Sequence, residues 1–252
     1  MTPLAGYWGV ALAVILLSTV LFITRRDYLV WRDDEAVFFL TARAVAQGHV
    51  LYREVWYNYP PGFILYLSAI LRLAGETLPV ARGAVFAWGV IALGMEAWLG
   101  RFLHGRVSAL GALFLLAIVP LFVMLSSAVM AEIPAFALAS AGVCAALLYR
   151  ERGKVRWLAL SGALCALSIC IKPTTFPALL VPALAAFWVP EDCPNRWRAW
   201  GIWGVGFVLP AALVILPQHP QEFLAQFLGT YARGREVFSL DVWDNLRQIG
   251  KY

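Results

Sequence analysis

Acidic residues stand at two places in the chain where their chemistry could serve catalysis. Asp33, Asp34 and Glu35 form a run of three acids, and Glu132 begins an apolar segment that reads EIPAFALA. A carboxylate can act as a general base on a hydroxyl nucleophile, so Asp34 is a candidate base. Charges at the edge of an apolar segment are costly, and this makes Glu132 and Lys172 functional candidates as well.

Each of these residues also has an ordinary structural interpretation. Asp34 could be a helix N-cap, with Glu35 favoured by the positive end of the same helix. That interpretation explains one or two acids, but not three in a row in a chain with fifteen Asp and Glu. Glu132 could simply start a helix, and Lys172 could extend its charge towards a membrane surface. The residues alone leave both interpretations open, and one carboxylate can serve both roles.

The composition shows which kind of scaffold must position these residues. The 252 residues are 62% hydrophobic and 14% charged, with a mean hydropathy of +0.74. Soluble domains average about 45–50% apolar and about 25% charged residues. The chain is therefore not a soluble globular enzyme, a disordered segment or a nucleic-acid-binding domain, and its medium is the lipid bilayer. The four cysteines have neither a disulfide nor a zinc spacing.

Seven segments are long and apolar enough, or nearly so, to cross a bilayer core of about 30 Å as helices. They do not alternate as barrel strands do, so the predicted fold is an all-α, polytopic membrane protein with about seven transmembrane helices. Breaks are expected at Ser126-Ser127 and at Lys172-Pro173, because proline ends helices. The predicted spans are 4–24, 80–99, 107–125, 130–149, 155–171, 174–190 and 199–217.

The placement of basic residues predicts the orientation. With the N-terminus in the cytoplasm, three short inner loops hold eight Lys and Arg, as the positive-inside rule requires. Arg25 and Arg26 disagree, since they follow the first span on the outside. The prediction is one membrane domain over 1–252 in the cell membrane, with an outer loop at 25–79 and an outer segment at 218–252. The inner basic residues are Arg101, Arg106, Arg150, Arg152, Lys154, Arg156, Arg196 and Arg198.

The outer loop is expected to carry two amphipathic helices. The first covers 35–47 and stops at Gly48, and the second lies within 60–78 and is too short in its apolar run to span. Between them stand four aromatic residues, which could line a sugar site or form an interfacial belt. They are Tyr52, Trp56, Tyr57 and Tyr59. The chain has no metal-binding, nucleotide-binding or acyl-transfer motif.

With these elements in place, the chain resembles a known family. The stretch DDEAVFFLTARAVAQGHVLYREVWYNYPPGFILYL (Asp33 to Leu67), the later MAEIPAFALA and the Lys172-Pro173 turn follow one order of elements. That order resembles the polytopic glycosyltransferases of the GT-C fold, family 39 type. This type includes protein O-mannosyltransferases and the relatives that transfer aminoarabinose to lipid A.

The resemblance implies a mechanism and a set of site residues. The donor would be a sugar on a polyprenyl phosphate, and the acceptor is unknown. Asp34 would be the base, Glu35 would hold the sugar or order the loop, and Glu132 would be the second site acid. Lys172, Arg53 or Arg82 would meet the phosphate, with Lys172 the first choice. The substrate-binding set is completed by Asp33, Tyr57 and Tyr59.

Two departures from the family pattern shape the expectations. Tyr57-Asn58-Tyr59 stands where some relatives carry an acid or histidine before the proline, so a divalent metal is doubtful and no cofactor is expected. Such enzymes also usually have more spans than seven, which implies a truncated chain. The alternative function is a non-catalytic membrane protein, either a component that flips lipid carriers or transports, or an inactive truncated homologue.

Overall fold

The described part of the chain is mostly helical, with loops between the helices. A computed structural model describes residues 33–180, 182 and 196–237, with side chains for 34–180, 182 and 197–230. The expected all-α class is confirmed. The helices are α1 (Asp33–Ala46), α2 (Gly62–Ala74), α3 (Leu78–His104), α4 (Arg106–Ile118), α5 (Pro120–Ser126), α6 (Glu132–Arg152), α7 (Val155–Ile171), α8 (Arg196–Ile215) and α9 (Pro220–Val237), with 3-10 turns at Pro173–Leu179 and Leu216–Gln218.

Local sequence explains where the helices that carry the acids begin and end. α1 begins with its acids at the positive end of the helix dipole, and the chain leaves it through Gly48 at φ 103°. α6 begins at Glu132 and ends beyond two arginines at Gly153, whose φ is 65°. The Gly153 N–H closes that helix by donating to the Tyr149 carbonyl at 2.8 Å. Each helix therefore presents an acid at its first turn.

The expected spans are met in part. Three described helices are long and apolar enough to cross a membrane: Leu78–His104, Glu132–Arg152 and Trp197–Gln218. The predicted span 107–125 corresponds to two helices, α4 and α5, which are separated at Pro120 and bent by 70°. Counting that bent pair as one span gives four.

The remaining predicted spans are either shorter helices or lie outside the described residues. α7 has the predicted bounds, 155–171, but its 17 residues make it a shorter apolar helix. The predicted span 4–24 and most of 174–190 lie outside the described residues, so the number seven stays a prediction. α2 has 13 residues, or about 20 Å of helix, which is less than a bilayer core. An interfacial position therefore suits it, as expected.

The packing gathers the functional candidates at one end of the bundle. α3, α6, α7 and α8 pack side by side. Arg82 of α3 meets Glu35 of α1 at that end, and Lys172 after α7 meets Glu132 at the start of α6. Exposed basic residues occupy the opposite end, where the helices turn: Arg101, Arg106, Arg150, Arg152, Lys154, Arg156 and Arg198.

Glycines allow α7 and α8 to approach closely. A Cβ atom on Gly162 would overlap the Trp203 carbonyl oxygen, and one on Gly206 would overlap the Ala159 carbonyl oxygen. Small residues at helix interfaces are the usual means of tight packing in membranes, where van der Waals contact replaces the hydrophobic effect. This interface fixes the position of α8, and hence the start of α9.

Gly162→Ala is expected to destabilise the protein by about 1–3 kcal/mol, because the added methyl group must push α8 away from α7. Gly111→Ala is the matched control, since a Cβ there meets no atom within 4 Å. Alanine favours a helix over glycine, so the control should be neutral or slightly stabilising. Thermal unfolding in detergent measures both. Equal behaviour of the two variants would contradict the close packing.

Candidate functional site

Glu35 anchors α1 to the bundle. Its carboxylate accepts two hydrogen bonds from Arg82, Nε to Oε1 at 2.8 Å and a terminal guanidinium nitrogen to Oε2 at 2.9 Å. Oε1 also accepts the Val129 N–H at 2.9 Å. Glu35 is 5% exposed and Arg82 is 1% exposed. Of the two roles expected for Glu35, this geometry favours ordering the chain over holding a sugar, because both oxygens are already engaged.

Asp34 lies beside this anchor but faces solvent. The helix begins at Asp33, so Asp34 lies within its first turn. The N-cap interpretation is therefore wrong, because it required Asp34 to precede the helix. Its side chain is exposed. The adjacent Glu35 is fixed by three hydrogen bonds, so the backbone that carries Asp34 is held in place while its carboxylate stays accessible. The side chain of Asp33 lies outside the described residues.

Glu132 and Lys172 form an ion pair across two helices. Lys172 Nζ lies 2.5 Å from Glu132 Oε1, and the lysine side chain is 13% exposed. The lysine is held in extended backbone before Pro173, which is the conformation that proline imposes on its predecessor. Nζ also lies 5.6 Å from the ring centroid of Tyr59, a cation–π distance. These contacts bring together three predicted site residues.

Tyr57 and Tyr59 belong to an aromatic cluster that connects α1 with this ion pair. Phe38, one turn after Asp34, contacts both rings, with centroids 6.3 Å from Tyr57 and 6.0 Å from Tyr59. Burial is the main cause that raises the pKa of Tyr57 well above its usual value. Electrostatic interactions with Tyr52, Tyr59 and Glu132 raise it further. The phenol is therefore neutral and keeps its proton. Trp56 is exposed, as a residue of an interfacial belt would be.

The three candidates for binding phosphate occupy different surroundings. Arg82 is buried against Glu35, so the expectation that it meets a phosphate has no support in this geometry. Arg53 is exposed and pairs with Glu222 of α9 at 3.1 Å. Lys172 is the candidate that lies among other site residues.

Two residues of the site region were missed from the sequence. Gln226 accepts the Tyr57 N–H at 3.0 Å and donates to the Tyr52 carbonyl at 2.5 Å. Glu222, one turn earlier, holds Arg53. The available signal was the spacing of four between them, which puts both on one face of a helix. That spacing alone does not say which surface the face meets.

The described residues contain no group of three or more His, Cys, Asp or Glu able to hold a metal ion. Two polar atoms near the ion pair have no hydrogen-bond partner in the described part of the chain. They are the Tyr57 hydroxyl and Glu132 Oε2, and both are buried. A neutral phenol can donate and a carboxylate oxygen can accept, so together they could bind a sugar hydroxyl. The arrangement as a whole places an accessible carboxylate, a cation and two unpartnered polar atoms at one end of the bundle.

The chain is similar to proteins of a known family. The family model for dolichyl-phosphate-mannose-protein mannosyltransferases matches residues 58–218. The match contains Tyr59, Glu132 and Lys172, whereas Asp34 and Glu35 precede it. No curated protein and no solved structure matches the chain. Because the matched residues make up more than half of the sequence, this multi-pass membrane protein belongs to the dolichyl-phosphate-mannose-protein mannosyltransferase family, and it is a GT-C-type membrane glycosyltransferase.

Proposed function

We propose that the protein transfers a sugar, mannose or a related hexose or pentose, from a polyprenyl-phosphate donor to a lipid, glycan or protein acceptor. Asp34 is the general base in this proposal. The supporting observation is that an accessible Asp34 lies on a helix turn fixed by Glu35, at the same end of the bundle as the Lys172–Glu132 pair. The family supplies the class of reaction, and the donor, acceptor and base are parts of the proposal.

The spatial connection from base to cation runs through aromatic contacts. Asp34 and Phe38 are four residues apart, so they are neighbours on the surface of α1. The Phe38 ring contacts Tyr59, and Tyr59 lies beneath the Lys172 ammonium. A substrate bound between Asp34 and Lys172 would have a carboxylate on one side and a cation on the other, which is the arrangement that inverting transfer requires.

The Asp34 carboxylate takes the proton from an acceptor hydroxyl as the acceptor oxygen attacks the anomeric carbon. The bond from that carbon to the phosphate oxygen breaks, and the electron pair leaves with the polyprenyl phosphate. Lys172 stabilises the negative charge that develops on the departing phosphate. Glu132 holds the lysine through Oε1, and its buried Oε2 is left to accept a hydrogen bond from a sugar hydroxyl. The configuration at the anomeric carbon inverts.

The distribution of charge supports an orientation. The end of the bundle opposite the site carries seven exposed Lys and Arg, at helix ends and in the turn between α6 and α7. Such residues favour the cytoplasmic side. We therefore propose that the site opens to the outer face of the cell membrane, where an acceptor outside the cytoplasm would meet the lipid-linked donor.

A transfer assay in membranes tests the function. Membranes containing the protein would receive radiolabelled polyprenyl-phosphate sugars, with nucleotide sugars as comparison donors. Transfer from the lipid-linked donors, absent from membranes without the protein, is the expected result. Translocation of the lipid carrier without any sugar transfer would instead support the non-catalytic alternative. Transfer only from nucleotide sugars would overturn the proposed donor class.

Lys172→Gln is expected to lower kcat/KM for the donor by about 10- to 100-fold, because a charged hydrogen bond to phosphate is worth about 1.5–3 kcal/mol. Lys172→Arg keeps the charge and should retain more activity. Lys154→Gln is the matched control, since Lys154 is exposed at the opposite end of the bundle. Equal activity of the Lys172 and Lys154 variants would remove Lys172 from the phosphate site.

A further inference from the structure

The loop between α1 and α2 contains a turn that α9 holds by its backbone. Tyr52 lies in the left-handed region at φ 69°, and its N–H donates to the Val55 carbonyl at 2.9 Å, so the chain reverses over these residues. A non-glycine residue in that region is conformationally strained and needs support from its surroundings. The support comes from a helix more than 160 positions further along the chain, through Gln226.

The side-chain amide of Gln226 matches both sides of the turn. Its Oε1 accepts the Tyr57 N–H at 3.0 Å, and its Nε2 donates to the Tyr52 carbonyl at 2.5 Å. A backbone N–H can only donate and a backbone carbonyl can only accept, which settles the orientation of the amide. One side chain therefore closes the turn from Tyr52 to Tyr57 by satisfying a main-chain group at each end.

The other contacts between α9 and the turn do not fix the position of the Tyr57 backbone as the Gln226 hydrogen bonds do. Arg53 and Glu222 form a pair whose side chains are 56% and 36% exposed, and such surface pairs contribute little. Phe223 packs against the Tyr52 ring at 5.3 Å between centroids, which brings α9 and the turn together without specifying the position of Tyr57. Gln226 is the described residue of α9 that reaches Tyr57.

The turn determines where two site side chains point. Tyr57 is 1% exposed, and its hydroxyl is one of the two buried polar atoms near the Glu132–Lys172 pair that lack a partner in the described part of the chain. Tyr59 follows two residues later and carries the ring beneath Lys172 Nζ. A shift of the Tyr57 backbone would move the phenol away from Glu132 and the Tyr59 ring away from the cation.

We infer that Gln226 is a positioning residue of the transfer site, which acts by holding the Tyr52–Tyr57 turn so that Tyr57 and Tyr59 bind the sugar-phosphate donor. This inference rests on the proposed function. Through this contact α9, a helix that contributes no predicted catalytic group, affects the binding of the donor by way of Tyr57 and Tyr59.

Gln226→Leu tests the inference through the separation of KM from kcat. Its loss of two hydrogen bonds should raise KM for the donor by about 10-fold and leave kcat within about 3-fold, because the base and the cation stay in place. The matched control is Gln221→Leu, the same change at an exposed position of α9. An unchanged KM with an active wild type would overturn the inference, as would a loss of kcat that merely follows a loss of thermal stability.

Gln226→Glu adds a readout that a purely structural role would not produce. The carboxylate still accepts the Tyr57 N–H, but it opposes the Tyr52 carbonyl oxygen unless it is protonated. Donor affinity relative to wild type should therefore recover as the pH falls and the acid becomes a donor again. If the donor affinity of Gln226→Glu relative to wild type did not change with pH, the result would contradict the proposed contact.

Hydrogen exchange separates failure of the inference from failure of the proposed function. The Tyr57 amide proton should exchange faster in Gln226→Leu than in Gln221→Leu, whether or not any sugar is transferred. Faster exchange together with an inactive wild type would support the turn contact and reject the proposed reaction. Unchanged exchange would overturn the inference regardless of activity.

Discussion

Asp34→Asn is expected to lower sugar transfer by about 10²- to 10⁴-fold, the range that a general base contributes. Asparagine keeps the size of the side chain and cannot take the acceptor proton. Asp34 is exposed and Glu35 holds the helix turn without it, so the variant should fold and reach the membrane normally. Initial rates of transfer from a polyprenyl-phosphate sugar, corrected for the amount of protein in the membrane, measure the effect.

A matched control keeps this result specific. Glu76→Gln makes the same chemical change at another carboxylate outside the bundle core, one that pairs with Arg43 and Gln47. It should transfer sugar at close to the wild-type rate. An active Asp34→Asn protein would remove Asp34 as the base. Equal losses in both variants would indicate a general effect of charge on the loop.

Glu35→Gln is expected to destabilise the protein by about 3–5 kcal/mol, because it removes the carboxylate charge that pairs with the buried Arg82 guanidinium. Arg82→Met should do the same by leaving the Glu35 carboxylate buried. Thermal unfolding in detergent measures both. Arg43→Met is the control, since the Arg43–Glu76 pair is 47% and 33% exposed and should contribute no more than about 1 kcal/mol.

The double variant Glu35→Gln/Arg82→Met distinguishes the cost of burying an unpaired charge from the cost of changing the two side chains. It buries no charge, and the glutamine oxygen can still accept the Val129 N–H. Most of the lost stability should therefore return, as replacement of buried ion pairs by uncharged groups often shows. A double variant as unstable as the sum of the two single variants would contradict the proposed pairing energy, since paired residues are not expected to be additive.

Local sequence signals were sufficient to predict the helical class and the ends of several helices. Hydropathy predicted the all-α class, and the stops at Gly48 and before Pro173 follow from local backbone rules. The bend at Pro120 was missed, although proline was present, because a helix of 19 residues and a broken pair of helices have the same composition. Local rules predict that a helix is interrupted there, but the angle depends on the helices that surround it.

The contacts within the site could not be predicted in the same way. Glu35 and Arg82 are 47 residues apart, Glu132 and Lys172 are 40 apart, and Tyr57 and Gln226 are 169 apart. In a soluble protein, apolar periodicity would indicate which helix faces meet. In a membrane, lipid-facing and protein-facing sides are both apolar, so this signal is weak. Arg82 was consequently grouped with Lys172 as a candidate for phosphate, although it is buried in a structural pair.

By itself, the sequence determined that this is a helical membrane protein with acids and one lysine at the ends of apolar segments. It did so because hydropathy, proline and glycine act through local physics that needs no knowledge of neighbours. Only the tertiary structure decided which acid is buried and which is accessible. That decision depends on burial and on partners brought from distant helices, and it distinguishes Glu35, bound to Arg82 and Val129, from Asp34, the next residue along the chain.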